Sequence, residues 1–473
     1  MPTSSPSVSK TFASPLWLRA TLAAAVAAFF LRFVLPSLST GFAVDDPMNI
    51  HYYWQAGPSQ LLRNLLLFAT DFERPMGGVY YSLLYQFFGL NPLPYHAAAA
   101  ALLLVNCLLA FRFARLISGC FLTAALAVMP LAFQPRMAQL TYLPSYIFDI
   151  LCFTFFVAAL AYYVSIRSAG LLLTWKQTAV FLMLYAAALE SKEMAVTLPL
   201  LAFLYEAIYH SAAKDNLRRR LTPTLLSGLL TAVFLLGKAL GQDSLLNNLA
   251  YQPVLTFQRY TESTARFLDI LLIGAIPRSL LTPAVLFVPA VTLCLLFWRG
   301  CRRDVRWLLC FVCITPLPVA FIPGREGGCL YIPLFGWALL ASTAILWLCA
   351  RLQALSRFAL PIVLALVVAG YWIRAERVSR RTVPAVLAAG RLTASVLSQI
   401  RSAQPAVPRG SRIYVVNDPF ELWDAKFLFE LQYKDPTVSV ALGRLTPLPP
   451  NDIAAMDYVF TFDAGRLVRL KSP

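Results

Sequence analysis

Apolar runs of roughly 17–20 residues recur from Leu16 to Tyr371, each long enough to cross a hydrocarbon core of about 30 Å. That recurrence predicts an all-α polytopic membrane protein. Composition agrees: 59% of the 473 residues are hydrophobic and 13% charged, where soluble chains are nearer half and a quarter. A formal net charge of +17 would suit nucleic acid. The Lys and Arg residues, however, sit in short clusters between the apolar runs, as cytoplasmic loops of membrane proteins do.

Those clusters give a topology. Lys10 and Arg19 precede the first run, placing the N-terminus inside, and 16–35 reads as a retained signal anchor. Spans over 97–111, 117–133, 146–165 and 178–189 follow, then six more ending near Ile373, about eleven transmembrane helices in all. Arg112 with Arg115, Arg167 with Lys176, Lys214 with Arg218, Arg302 with Arg306, and Arg351 with Arg357 then all fall on one side. Segments 37–95, 190–193, 242–278 and 323–328 face the other. Most of the nine cysteines, such as Cys107 and Cys152, lie inside apolar runs and imply no disulfide framework; Cys329 alone faces outward.

Beyond 373 the apolar segments shorten to strand length, at 412–416, 437–442 and 458–462, with a helical stretch at 420–432. The expected organisation is a transmembrane unit over 1–373, with its outer loop 37–95, and a small extracytoplasmic α/β domain over 374–473.

Chemistry concentrates in the outer loops. Asp45 and Asp46 are adjacent carboxylates just past a span. Partial desolvation and mutual repulsion would raise a carboxylate's pKa towards general-base work; equally, one of the two could cap the helix that follows. Arg74, in Phe72-Glu73-Arg74-Pro75, could hold a lipid phosphate through its planar fork of donors or snorkel to headgroups. The following Tyr-rich stretch reads as an interface belt. Glu190-Ser191-Lys192-Glu193 forms a charged knot in a tight turn, and Arg325 precedes flexible glycines and Tyr331. His51 accompanies the acidic loop and with nearby carboxylates could bind a divalent metal, although no ligand spacing compels it. Asp149 is the main charged residue within a span. No P-loop, dinucleotide fingerprint, Cys-x-x-Cys pair or serine elbow occurs.

Together these outer clusters resemble the GT-C superfamily of membrane glycosyltransferases, in the branch of the protein O-mannosyltransferases and the aminoarabinose transferases of lipid A. Asp45-Asp46 after the first span carries the resemblance. So do Phe72 to Pro75 with Phe88-Gly89-Leu90-Asn91-Pro92 and Tyr95-His96, Ser191-Lys192-Glu193 with Pro199 and Tyr205-Glu206, and Arg325 to Pro333. A Gly-Gly-Cys insertion between Arg325 and Tyr331 interrupts the last motif, and the C-terminal domain matches no tetratricopeptide array.

The resemblance implies an inverting transferase that takes a sugar from a polyprenyl-phosphate-linked donor to a glycan, lipid or protein acceptor on the extracytoplasmic face. Asp45, with Asp46 as its alternate, would be the base. Arg74 and Arg325 would stabilise the leaving phosphate, with Lys192 as a further candidate; Glu73 would orient Arg74 or bind a metal. His51 and Tyr331 complete the expected substrate-binding set. A lipid or glycan transporter would instead carry mid-membrane ionisable residues in matching halves, and a non-catalytic assembly protein would tolerate loss of Asp45 and Asp46. Compact loops and the ending Lys471-Ser472-Pro473 point to a bacterial inner membrane.

Overall fold

The computed structural model describes residues 15–472 apart from 44, 68–73, 212–215, 241–247, 354–355, 357 and much of 276–299. Among the described residues six helices are long and apolar enough to span a bilayer: Leu16–Ser39, Pro92–Ser118, Pro144–Ser168, Leu217–Leu240, Gly327–Gln353 and Ala359–Ala403. Four more expected positions hold shorter helices, Phe121–Ala132, Trp175–Leu189, Leu198–Tyr209 and Arg303–Ile314. The remaining expected span lies mostly outside the described residues.

Local chemistry sets where these helices begin and end. Asn91 accepts from the Leu93 amide and Pro92 occupies the first helical position, so Pro92–Ser118 starts with its orphan donors dealt with. The same helix stops at Gly119, which takes the left-handed conformation (φ 67°) a side chain would resist. Thr174 and Gln177 form a reciprocal capping box before Trp175–Leu189. Pro144–Ser168 is the central helix: 83% of its apolar window is buried inside the protein, against 28% for Leu16–Ser39. Phe33 and Phe133 stack at 4.6 Å where Leu16–Val34 packs against Phe121–Ala132.

Segment 37–95, expected as an outer loop and called the outer segment below, is not an open loop. It folds into Asp46–Leu67, kinked at Gly57 (φ 74°) ahead of Pro58, and Pro75–Phe88. The tyrosines of the Tyr-rich stretch are buried and wired to backbone carbonyls rather than arrayed as an interface belt: Tyr80 donates to Tyr95 O at 2.7 Å, Tyr81 to Pro144 O at 3.0 Å and Tyr95 to Gly89 O at 3.0 Å. A buried phenol that keeps its hydrogen bond adds apolar area without an unpaired polar group.

The C-terminal sheet has strands β1 (Arg412–Val415), β2 (Ser439–Leu442), β3 (Tyr458–Asp463) and β4 (Arg466–Lys471), in the order β2-β1-β3-β4. β1 runs parallel to β2 and β3, and β4 is antiparallel to β3. The helix Asp424–Tyr433 connects β1 to β2 and buries Phe429 against Phe460, ring centres 5.4 Å apart. β4 was not expected from the sequence. It is an exposed edge strand carrying Arg466, Arg469 and Lys471, and charge on an edge hides the apolar alternation that marks inner strands while deterring edge-to-edge pairing. It follows β3 through Ala464-Gly465, both at positive φ (47° and 78°), the backbone that two-residue hairpins require.

No linker separates the last span from this sheet. Ala359–Ala403 is one 45-residue helix that crosses position 373 without interruption. Its far end buries Val396 and Ile400 in the core of the sheet domain. Where it passes the outer segment, a Cβ on Gly41 would lie 2.3 Å from Gly390 O, so only glycine fits that crossing.

The outer segment and the sheet domain also lock together. His51 Nε2 approaches Glu430 Oε2 to 2.6 Å, both side chains less than a tenth exposed. The imidazole packs on Phe427, and Tyr85 donates to Leu431 O at 2.7 Å. His51→Ala leaves Glu430 buried without this partner, which should cost about 2–4 kcal/mol. The expected readout is a lower melting temperature with faster proteolysis around 404–411; an unchanged digestion pattern counts against a clamp.

Candidate active site

A cavity of about 510 Å³ opens between the outer segment and the ends of the central helices. Four of the sequence-predicted residues line it: Asp45, Arg74, Lys192 and Arg325. They come from segments far apart in the chain, brought together because Pro144–Ser168 and the turn before Leu198–Tyr209 end at the same level as the start of Asp46–Leu67.

Two of these cations, Arg74 and Lys192, are held by carboxylates to which the motif reading gave no role. Arg74 forms a two-point pair with Glu193, Nη2 to Oε2 at 2.9 Å and Nε to Oε1 at 3.3 Å, and its guanidinium lies 5.4 Å from the centre of the Phe148 ring. Burial alone would raise the Glu193 carboxyl, but the Arg74 and Lys238 charges and the Arg74 hydrogen bond together outweigh it and hold the group at about 2. Lys192 Nζ donates to both oxygens of Asp149 at 2.7 Å. Burial opposes the ammonium charge; the Asp149 charge leads the interactions that together outweigh burial, so Lys192 stays protonated. Arg325 lies over the Tyr251 ring at 3.7 Å, and the adjacent Glu326 pairs with Arg266 at 3.3 Å.

The inserted glycines have a steric reason. A Cβ on Gly328 would fall 2.5 Å from the Tyr146 ring and 2.7 Å from Asp149 Oδ2. The chain after Arg325 therefore runs hard against the Asp149–Lys192 pair, and a side chain there would displace it. Gly327 adopts φ 65° to make the approach.

The adjacent carboxylates have separate surroundings. Asp45 lines the cavity, where burial raises its pKa and Arg325 partly opposes the rise. Asp46 is fully buried and accepts from the Ala43 amide at 2.8 Å. Burial pushes it to about 8, despite that bond and the neighbouring Ser145. Its folded value lies above the 3.8 of a free carboxyl, so its contribution to stability is full below about 4 and is lost as pH climbs through about 8. Asp46→Asn should flatten this fall: the variant's melting temperature should gain on wild type as buffer moves from mildly acidic to mildly alkaline. A constant difference between the two would show that Asp46 does not titrate there.

The remaining expected residues lie elsewhere. His51 is committed to Glu430. Tyr331 is buried and donates to Leu131 O at 3.2 Å, its ring against Phe153. Glu73 lies outside the described residues. Among the described residues no group of three His, Cys, Asp or Glu side chains gathers to hold a metal. Of the residues motif reading missed, Asp149 carried a signal, as a carboxylate inside a span. Glu193 stood in the charged knot and in the motif beside Lys192, but with no role assigned to it.

Neither a protein-family model nor a curated protein sequence matches the chain. Among solved structures, ArnT from Cupriavidus metallidurans, determined bound to undecaprenyl phosphate, superposes with a TM-score of 0.53 at 13% identity, over 97% of this chain and 99% of that one. The Archaeoglobus fulgidus oligosaccharyltransferase, determined with Zn and sulfate, gives a TM-score of 0.47 at 13% identity over 88% of this chain, which spans 61% of its length. The fold is shared with ArnT, and the expected mostly helical architecture with a small C-terminal sheet is borne out, with six of the about eleven expected spans long and apolar enough to cross a bilayer among the described residues.

Proposed function

We propose that this chain, built on the fold it shares with a GT-C membrane glycosyltransferase, is an inverting glycosyltransferase using a polyprenyl-phosphate-linked sugar. The observation that carries the reading is the convergence of Asp45 with Arg74, Lys192 and Arg325 on one cavity beside the spans. The acceptor hydroxyl oxygen attacks the anomeric carbon and its proton passes to Asp45. The bond from that carbon to the phosphate oxygen breaks, and the electron pair leaves with the polyprenyl phosphate. One base suffices for a single displacement with inversion.

Charge grows on the leaving phosphate, so cations already fixed in place stabilise the transition state without reorganising. Glu193 and Asp149 keep Arg74 and Lys192 charged and oriented before the donor arrives. Leu235, Val319 and Ile322 supply an apolar wall along which the lipid tail can enter. The reading places the cavity and the 374–473 unit on the extracytoplasmic face, in a bacterial inner membrane.

The test uses purified protein in lipid nanodiscs with a panel of labelled polyprenyl-phosphate sugars, and nucleotide sugars as controls. Release of polyprenyl phosphate from one lipid donor, with the sugar appearing in inverted configuration, is the expected result. Consumption of a nucleotide sugar instead, or transfer with retained configuration, would overturn it.

A further inference from the structure

A second cavity, of about 480 Å³, lies where the outer segment meets the sheet domain, at the opposite end of Pro75–Phe88 from Arg74. One wall is the 88–92 turn. The other carries Arg401, near the end of the 45-residue helix, and Lys434, which closes Asp424–Tyr433 in the left-handed conformation. Arg401 Nε donates to Gln432 Oε1 at 2.9 Å. Lys434 Nζ stands 5.8 Å from the Tyr85 ring centre, over Gly89, where a Cβ would come within 3.4 Å of it.

The two cavities differ in charge balance. Carboxylates line the first; none lines the second, which presents two cations from separate elements together with the polar side chains of Asn91 and Gln432. Exposed apolar side chains adjoin the second: Phe88, which lines it, and Phe87 and Leu93, which flank the lining 88–92 turn in the chain, are 50%, 72% and 49% exposed. Leu93 belongs to the first turn of the Pro92–Ser118 span, which puts these side chains at the level where lipid headgroups meet acyl chains.

Positive charge in a cavity bordered by exposed apolar side chains at a span's end matches the phosphate and acyl parts of one lipid. We infer that this cavity binds the phosphate of an anionic phospholipid headgroup between Arg401 and Lys434, with the acyl chains against Phe87, Phe88 and Leu93. One wall belongs to the outer segment and the other to the sheet domain, so the bound lipid bridges the two beside the His51–Glu430 contact. The inference concerns lipid binding and stands apart from the proposed transferase activity.

The test measures phosphatidylglycerol retained by the full chain in phosphatidylcholine nanodiscs containing a minor share of it, by native mass spectrometry. Arg401→Gln with Lys434→Gln should weaken retention roughly thirtyfold. A charge-matched control, Arg409→Gln with Arg466→Gln, should leave it unchanged. Equal loss in both double variants would mean diffuse surface attraction and overturn the site. So would displacement of the lipid by inorganic phosphate, which would mark a free-anion site. A diazirine-bearing phosphatidylglycerol should crosslink the unsubstituted protein within 87–93 and 431–434; labelling elsewhere alone would also refute the assignment.

Discussion

Asp45→Asn should lower sugar transfer by about 10²–10⁴-fold while leaving the melting temperature nearly unchanged, the loss that removing a positioned general base produces. Asp46→Asn should cost only a few-fold. Asp45 lines the cavity and Asp46 is buried with its carboxyl held near 8, so at neutral pH asparagine replaces a group that is already largely uncharged. The two residues are adjacent and chemically identical, and the contrast rests on burial alone. Parallel rates and melting curves for both variants in native membranes decide it. Transfer abolished by Asp46→Asn with Asp45→Asn active would reverse the assignment.

Arg74→Gln should reduce stability and activity together, and a second substitution should separate them. Glu193 would be left as a largely buried carboxylate without its guanidinium. That costs about 2–4 kcal/mol once the residual exposure of the pair towards the cavity is discounted. Adding Glu193→Gln removes the stranded charge, so the double variant should melt close to wild type. Its transfer rate should stay low, because the leaving phosphate still lacks a cation. Recovery of activity with stability would make the pair a structural brace only. Glu193→Gln alone should retain more activity than Arg74→Gln, since the cation remains.

Much of the fold was legible because lipid imposes a length rule that single sequences obey, and because turn residues such as Gly119 and Thr174 act locally. The site was legible only in part. Asp45, Arg74, Lys192 and Arg325 stood out as charges beside membrane spans, and all four reach one cavity. Their pairings did not stand out, because pairing is a tertiary fact: Arg74 meets Glu193 across 119 positions and Lys192 meets Asp149 across 43. His51 shows the converse error. Beside two aspartates it reads as part of their chemistry, yet the helix that begins at Asp46 turns it towards Glu430 in a domain the local sequence cannot reveal. Tyr331, inside a matching motif, likewise spends its hydroxyl on the Leu131 carbonyl.

The unbroken helix of Ala359–Ala403 behaves as a threaded shaft rather than a tether. Forty-five residues at about 1.5 Å each give roughly 68 Å, more than twice the hydrocarbon thickness. Each residue inserted into its projecting half would lift the sheet domain by about 1.5 Å and also rotate it by about 100°. A single insertion would thus swing Glu430 off His51 and Lys434 off Gly89, whereas an insertion of about seven residues would nearly restore the facing but raise the domain by about 10 Å. Angular phase and height are locked to one residue count, so this stretch cannot drift in length as a loop can.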